Sequence, residues 1–583
     1  MSKKQKPNLD HIRHSLAHLL AAAVLELYPD TKLGIGPTIE YGFYYDFKFS
    51  KKFTEDDLPK LEELMRGYIQ DGLLFSGKKI TSAEARKIFK TQPFKLDLIK
   101  EFINEKAQLT AYATGTIFRD LCRGGHINST EEIDPRAFKL THLAGAYWRG
   151  DENNDQLTRI YGLAFHTKQE LNDHLAMLEE AKKRDHKKLG RELDLFTFSE
   201  LVGSGLPLWT PKGTILRNLL DVFVWELRKQ HGYERVEIPH IAKKELYEAS
   251  GHWKKFSEEL FKIKTREGHE FAMKPMNCPH HTQIFARRQW SYREMPQRYA
   301  NTTMCYRDEQ SGELSGISRA RSFTQDDAHV FCRKDQIKRE VLNIWDIVDE
   351  FYKACGFPLE VHLSLHDPKE LKRYLGSPAI WTEAERAMKQ LAKERGIKPI
   401  IDIGEAAFYG PKIDFIAKDA LGRSWQVATI QLDMNQPKRF GLTYINEQGK
   451  QEQVFMIHAA IMGSIERFLS VFIEHTAGKF PVWVAPVQVA ILPISEQFEL
   501  YAHEVHKTLV KHDIRVEEKL ATETLGKRIR GAELERIPYI LVVGEKEQKV
   551  GSVNVRHYKD GTLGEQSISS FLKKIQEEIS RRT

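Results

Sequence analysis

No stretch of this 583-residue chain approaches the roughly 20 consecutive apolar residues of a membrane-spanning helix. The opening residues, MSKKQKPNLD, place no apolar core behind their lysines, as a secretory signal would. These two absences argue against a membrane or exported protein and lead us to expect a cytoplasmic one. Cysteine is also scarce. Five residues (Cys122, Cys278, Cys305, Cys332, Cys355) are too few and too scattered for a disulfide framework, which leaves reduced thiols or metal ligands. Low-complexity tracts and internal repeats are missing, so disorder and solenoid architectures are not the reading. Charge of one sign is not in strong excess: 88 Lys and Arg against 81 Asp and Glu leave a net +7, which permits a polyanionic partner without identifying one. What is present is an ordinary globular mixture, 41% hydrophobic and 29% charged, long enough for three or four domains.

The text changes character along the chain. Up to about residue 165 a helical apolar repeat (Leu16, Leu19, Leu20, Val24, Leu25) gives way through Gly34, Gly36 and Pro37 to the strand-like GFYYDF. Residues 166–190 are polar and helix-favouring, with Leu171, Leu175 and Leu178 at helical spacing, and read as a connecting helix. The longest region, 191–481, mixes helical stretches such as ILRNLLDVFVWELRKQ with β-rich ones such as SWQVATIQLD, which predicts a mixed sheet with helices around it. From 482 to 583, VQVAILPI and PYILVVG read as buried strands on either side of an amphipathic helix, a small α/β domain.

The sharpest chemistry lies where a plain core would be apolar. Residues 305–309 read CYRDE and 319–331 read RARSFTQDDAHVF, two arginine-bearing strands around the loop QSGELSGIS; alone, they would describe a charged surface hairpin. The segment HAAIMGSIERF, from 458, reads as a helix start in which His458, Gly463, Ser464 and Arg467 interrupt an apolar face. An arginine among Ile461, Ile465, Phe468 and Leu469 needs an anion, and a phosphate would serve. Together these stretches resemble motifs 2 and 3 of the class II aminoacyl-tRNA synthetases, a resemblance that covers nearly the whole chain. It implies that Arg307 contacts the ATP α-phosphate and the amino-acid carboxylate, that Arg467 holds the γ-phosphate, that Glu309 meets the adenine amino group and that Arg319 is a further phosphate ligand. Catalysis of this kind is positioning plus charge neutralisation, with Mg2+ accompanying ATP.

One thiolate and two imidazoles, Cys278 in MKPMNCPHH, His329 in TQDDAHVF and His458, suit one zinc ion with an open fourth position. Taken singly, each has a plain structural reading, and ligands so far apart form no spacing motif. Their place inside the synthetase motifs resembles the zinc site of threonyl-tRNA synthetases, where metal binds the amino group and hydroxyl of threonine. Such a site answers a discrimination problem: shape separates threonine from isosteric valine only by factors of about 10 to 200, whereas a demand for a hydroxyl rejects valine far more strongly. The resemblance further implies that Asp327 receives the substrate ammonium, that Gln325 assists, and that Tyr409, Lys412, Gln426, Thr429 and Gln431 of FYGPKID and QVATIQLD line the pocket. Two departures stand out. His366 and Asp367 replace an Arg-Pro pair, and CPHH replaces a glycine-bearing form, which makes His280 and His281 rival ligands.

Serine also carries a hydroxyl, so a second, hydrolytic sieve is required. HSLAH sets His14 and His18 on one helical face, and DLCRGGH offers Asp120, Cys122 and His126. A lone HxxxH is usually surface, and the ligand types suit a structural zinc, but the two pairs together resemble the editing domain shared by threonyl and alanyl enzymes. A metal-free site is expected, in which His14, His18, Lys95, Cys122 and His126, with Tyr45 and Asp120, orient water and the tRNA 3′ end. CRGGH stands where CRGPH is usual, expected to be a small change in loop stiffness.

From 482 onward the text resembles the class IIa anticodon-binding domain. Lys527, Arg528 and Arg530 could meet phosphates, Glu547 and Arg556 match base-reading positions, and Thr522 and Thr524 replace the usual Asn and Lys. The expected fold is therefore α+β and multidomain: an editing domain (1–165), a helical linker (166–190), a class II antiparallel-sheet catalytic core with flanking helices (191–481) and an α/β anticodon-binding domain (482–583). A ubiquitin-like leading domain is expected to be absent, since the chain opens almost at the editing segment. The resemblance implies L-threonine, ATP and tRNA(Thr) as partners and a homodimer. The rival reading is a non-catalytic, synthetase-like regulator that binds tRNA or mRNA, for which the zinc and ATP residues would have no use.

Overall fold

The computed structural model describes residues 7–582 and divides into two compact units, Met1–Glu179 and Glu180–Thr583. The first opens on α1 (Leu9–Leu27), where the Asn8 side chain accepts from the Asp10 amide and a LLAAAV run of strong helix formers follows. Its buried face joins a core with β1 (Gly42–Lys48) and α2 (Leu58–Gln70). Beyond β2 (Phe75–Lys79), α3 (Pro93–Asn104), β3 (Thr110–Thr114) and β4 (Phe118–Leu121), two long strands close the unit, β5 (Phe138–Tyr147) and β6 (Gln156–Ala164). β6 pairs antiparallel with both β1 and β5, and β3 pairs antiparallel with both β2 and β4. Residues 166–190, expected to form one connecting helix, instead hold α4 (Lys168–Arg184) and the start of a second helix, His186–Glu192, capped by the Asp185 side chain.

The second unit is built on an eight-stranded sheet. After α5 (Pro211–Gln230), its strands are β7 (Glu234–Arg235), β8 (Gln297–Tyr306), β9 (Ser322–Cys332), β10 (Leu359–Leu365), β11 (Ile400–Ile403), β12 (Lys412–Lys418), β13 (Ser424–Asp433) and β14 (Phe455–Ser464). They lie in the order β7-β8-β9-β14-β13-β12-β10-β11, parallel only at the two outer pairs. Helices α6 (Cys278–Ala286), α7 (Ile337–Ala354), α8 (Pro378–Glu394) and α9 (Ile465–Thr476) belong to the same unit. Period-2 alternation divides β14: Ile457, Ala459 and Ile461 enter the helix-covered core, while His458 and Ala460 point to the opposite face.

The segment HAAIMGSIERF is thus not a helix start. It runs as strand to Ser464, and only Ile465 begins α9. Gly463, at a φ of 70°, takes the left-handed turn, and the Ser464 hydroxyl caps the helix by accepting from the Arg467 amide.

The last hundred residues form a five-stranded sheet with helices. Its elements are β15 (Val489–Pro493), α10 (Glu499–Val510), β16 (Val516–Glu518), α11 (Leu525–Leu534), β17 (Tyr539–Val543), α12 (Glu545–Val550), β18 (Ser552–His557), β19 (Gly561–Ser567) and α13 (Ile568–Arg581). The order β16-β15-β17-β18-β19 makes β16 an edge strand, paired parallel to β15. No helix among the described residues is long and apolar enough to cross a membrane.

Candidate functional site

Strand register assembles the first site. Lys412, Gln431, His458 and His329 are consecutive cross-strand partners on β12, β13, β14 and β9. One row on, Asp414, Thr429, Ala460, Asp327 and Asn301 do the same from β12 to β8. Two residues apart on every strand, both rows face one side of the sheet. Across this face Cys278, at the first position of α6, joins His329 and His458, the three ligand atoms lying within 4.8 Å of one another.

The His329 Nε2 and His458 Nδ1 atoms are 3.1 Å apart. Each ring is oriented from behind. Asp433 Oδ2 lies 3.0 Å from His458 Nε2, and His281 Nδ1 lies 2.8 Å from His329 Nδ1. His281 is therefore no rival ligand but a support for one, and buried His280 stands outside the triad with both ring nitrogens unpartnered. Burial, then His281 and His458, hold the His329 imidazole well below its ordinary range, and burial takes His281 down to about 3. Burial, with Asp327 and Asp433 adding, pushes the Cys278 thiol well up, so the sulfur keeps its proton unless a cation replaces it.

The remaining pocket residues hang on a carboxylate that sequence reasoning passed over. Asp414 accepts from Thr429 Oγ1 (2.8 Å), Gln426 Nε2 (2.8 Å) and Ser364 Oγ (2.6 Å), and it pairs with Lys412 Nζ (2.9 Å). The Gln431 amide donates to Thr429 Oγ1, and the Tyr409 hydroxyl donates to Gln431 Oε1. Asp433, Asn277 and Lys274 were also missed; Lys274 is fully buried, with Nζ on Asn277 Oδ1 and Thr303 Oγ1 at 2.9 Å each. The signal was there in part, since Asp414 and Asp433 continue the alternation of polar and apolar residues in the strands KIDFIA and ATIQLD, on the same face as Lys412, Thr429 and Gln431. Burial pushes Asp327 up, against His458, Arg228, Asn277 and Lys274, and Gln325 Oε1 lies 3.7 Å from Cys305 Sγ.

Arginines border this face. Arg307 follows β8 with its guanidinium over the Phe323 ring at 5.1 Å and its Nε without a partner. Arg467 is exposed rather than embedded, because its position in the first turn of α9 faces away from the apolar side, and no carboxylate pairs with it among the described residues. Glu309 and Arg319 face one another at 2.8 Å, and Arg319 also holds Glu313. His366 and Asp367 have structural partners: His366 Nδ1 lies 2.6 Å from Glu385 Oε1, and Asp367 accepts from the Lys369 amide.

The first unit holds a separate cluster around a pocket of about 530 Å³. From α1, His14 Nε2 approaches Cys122 Sγ at 3.3 Å, and the His126 ring, stacked on that of His14 with centroids 4.1 Å apart, brings its Nε2 to the same sulfur at 3.3 Å. His18 completes a set of four ligand atoms within 4.8 Å of one another. Beneath them buried Asp120 accepts from the Tyr45 hydroxyl (2.6 Å) and pairs with buried Lys95 (2.5 Å). Ser15, which the sequence did not single out, orients His126 through its Nδ1 at 3.1 Å. Burial keeps the cluster uncharged: His14 and His18 are lowered, His126 falls to about 2, and Cys122 rises to about 11.

CRGGH is more than a change of stiffness. Gly125 sits at a φ of 85°, which proline cannot adopt, so this loop follows a path that a CRGPH loop cannot.

In the last domain Arg528 is buried and donates to the carbonyls of Pro493 (2.7 Å) and Lys519 (2.9 Å), which removes it from any phosphate-binding set. Glu547 is also turned inward, accepting from the Gly544 amide at 3.0 Å, while half-buried Arg556 reaches Glu533 at 3.3 Å. Lys527 pairs with Glu523 at 2.5 Å.

Residues 261–476 match the family model of the tRNA synthetase class II core domain (G, H, P, S and T), and 488–578 that of the anticodon binding domain. Residues 109–161, which include Cys122 and His126, match the threonyl and alanyl tRNA synthetase second additional domain. The antiparallel sheet with its bordering arginines is thus the core of a class II tRNA synthetase.

The threonine–tRNA ligase of Porphyromonas gingivalis is 48% identical over 573 residues, 97% of this chain and 87% of its own. That of Thermus thermophilus is 46% identical over 586 residues, covering 98% and 88%. A crystal structure described as the RNA-binding domain of threonyl-tRNA synthetase from Cryptosporidium parvum Iowa II superposes with a TM-score of 0.64 at 36% identity, over 68% of this chain and 98% of its own. The chain belongs to the threonine–tRNA ligase family.

Proposed function

We propose that this chain activates L-threonine with ATP, transfers it to tRNA(Thr), and hydrolyses seryl-tRNA(Thr) in its first unit. The observation that carries the first half is the convergence of Cys278, His329 and His458 beside the Asp414-anchored polar row, on the sheet face bordered by Arg307. The donor set and the supports behind both imidazoles fit zinc, which when bound supplies an open position that a hydroxyl can fill and valine cannot. Asp327 takes the substrate ammonium, and Gln325, Tyr409, Lys412, Gln426, Thr429 and Gln431 complete the pocket.

In the activation step a carboxylate oxygen of threonine bonds to the α-phosphorus as pyrophosphate leaves. Arg307 neutralises the charge that gathers there and Arg467 steadies the γ-phosphate, with Mg2+ arriving on ATP. Glu309 serves the adenine amino group and Arg319 a phosphate, so the ion pair between them opens as ATP enters. A hydroxyl of the terminal ribose then attacks the acyl carbon and AMP departs.

In the first unit, the uncharged His14, His18, Cys122 and His126, with the Lys95, Asp120 and Tyr45 group below, suit the binding of a tRNA end and a water rather than nucleophilic attack by the protein. The last domain reads the anticodon through Arg556 and through Glu547 once released from its cap, while Lys527 and Arg530 meet phosphates. We further assign the unit boundaries to an editing domain (1–165), linker (166–190), core (191–481) and anticodon domain (482–583), and infer a cytoplasmic homodimer.

ATP–pyrophosphate exchange with threonine, valine and serine, on wild type and Cys278→Ser with zinc counted, tests the reading. Threonine and some serine should support exchange, valine very little, and the variant should lose both zinc and exchange. Tight tRNA binding without any threonine-dependent exchange would leave a non-catalytic regulator instead.

A further inference from the structure

Three groups of metal-ligating side chains occur among the described residues, and the third lies far in sequence from either site above: His503, His506 and Glu518 of the last domain. His503 and His506 are three residues apart on α10 and so share one face of it. Glu518 ends the edge strand β16, and its Oε1 lies 2.9 Å from the Nδ1 atoms of both histidines.

The two contacts differ in kind. That of His503 is a hydrogen bond. That of His506 has the length of one without its direction: its Nδ1 is shielded from water and has no hydrogen-bond partner. The His506 Nδ1 thus touches, off the hydrogen-bonding direction, a carboxylate oxygen already engaged by His503, an arrangement that a cation shared by the three groups would satisfy. The spacing suits one as well. Two donors about 2.1 Å from an ion stand about 3.0 Å apart at the right angles of a six-coordinate site and about 3.4 Å apart in a tetrahedral one, so the two separations of 2.9 Å lie nearer the six-coordinate case.

We propose that His503, His506 and Glu518 form a binding site for a first-row divalent cation of the zinc or nickel type. Two imidazoles with one carboxylate favour such ions over magnesium or calcium. Binding needs no proton released from a neutral imidazole, only a shift of its hydrogen to Nε2, and half-exposed His503 leaves the remaining positions to water. The ion ties α10 to β16 where the turn into the basic helix α11 begins. That turn is already fastened to α10, through the Ala521 amide on Glu499 Oε1 at 2.9 Å. The site thus acts as a brace on the anticodon-binding domain.

The full chain would be dialysed against Zn2+ or Ni2+ at micromolar free ion, and the bound metal counted. His503→Gln/His506→Gln and, separately, Glu518→Gln should each hold one ion fewer per chain than wild type, with threonine-dependent pyrophosphate exchange unchanged. Equal counts in wild type and both variants overturn the site, and so does a difference that emerges only at millimolar metal. Should the double variant fail to fold, the Glu518→Gln count decides alone.

Discussion

Lys95 and Asp120 are almost completely buried and joined at 2.5 Å, so replacing Lys95 by methionine strands a carboxylate inside the first unit. Removing one partner of a buried ion pair costs about 3 to 5 kcal/mol, chiefly because the remaining charge is uncompensated. Here Asp120 keeps two donors, the Tyr45 hydroxyl at 2.6 Å and the Leu121 amide at 2.7 Å. Those charge-assisted bonds put the loss at the lower end, about 3 kcal/mol, or roughly a hundredfold in an opening equilibrium. Because a two-unit chain has no single melting free energy, the measurement is backbone hydrogen exchange in peptides from residues 110–126 of the full chain. Lys95→Met should exchange about a hundredfold faster there, and Lys95→Met/Asp120→Asn should recover much of the protection, since a neutral amide leaves no stranded charge. Exchange within about threefold of wild type in Lys95→Met, or no recovery in the double variant, would refute the argument that the charge pair holds this site together.

Four other outcomes are expected. Gly125→Pro cannot adopt the left-handed backbone of its loop, so hydrolysis of seryl-tRNA(Thr) should fall by more than tenfold while threonine activation stays intact; Gly125→Ala, whose added carbon meets nothing nearer than 3.8 Å, should lose only about 1 kcal/mol of local stability. Asp414→Ala removes the common acceptor of Lys412, Gln426 and Thr429, and kcat/KM for threonine in pyrophosphate exchange should drop at least a hundredfold with KM for ATP little changed. Asp433→Asn loosens the support behind His458, and zinc affinity, measured by chelator competition, should weaken by about 10- to 100-fold. The unfolded chain takes up protons below its ordinary histidine range while folded His126, lowered to about 2, does not, so this stability is present above about pH 6.5 and is lost as pH falls; intrinsic-rate-corrected exchange in the first unit should quicken from pH 7 to 5, and a pH-independent profile would contradict the burial of that imidazole.

Much of this was legible in the residues. The arginines around QSGELSGIS stood out as polar side chains where a core would be apolar, whereas Cys278, His329 and His458, and the paired HSLAH and DLCRGGH, had plain readings singly and were singled out by their resemblance to family motifs. Local reasoning failed at Gly463, where a run of small apolar residues admits strand as easily as helix, and burial between two strands decided for strand. It failed again at Arg528, because a basic helix seen in one dimension does not say which of its cations turns inward.

What could be read from the residues alone was the ingredients: donor types, apolar periodicity and the local signals that start and stop most elements, all of which depend on neighbours a few residues away. Tertiary structure alone decided which of them meet. Strand register sets Lys412, Gln431, His458 and His329 in one row although they span more than one element, and a one-residue slip would turn every one of them to the helix-covered face. The roles of Asp414, Asp433, His281 and Ser15 are likewise invisible in one dimension. A carboxylate or hydroxyl acquires meaning from the buried donor it must satisfy, and that donor arrives from another strand or helix only when the chain folds.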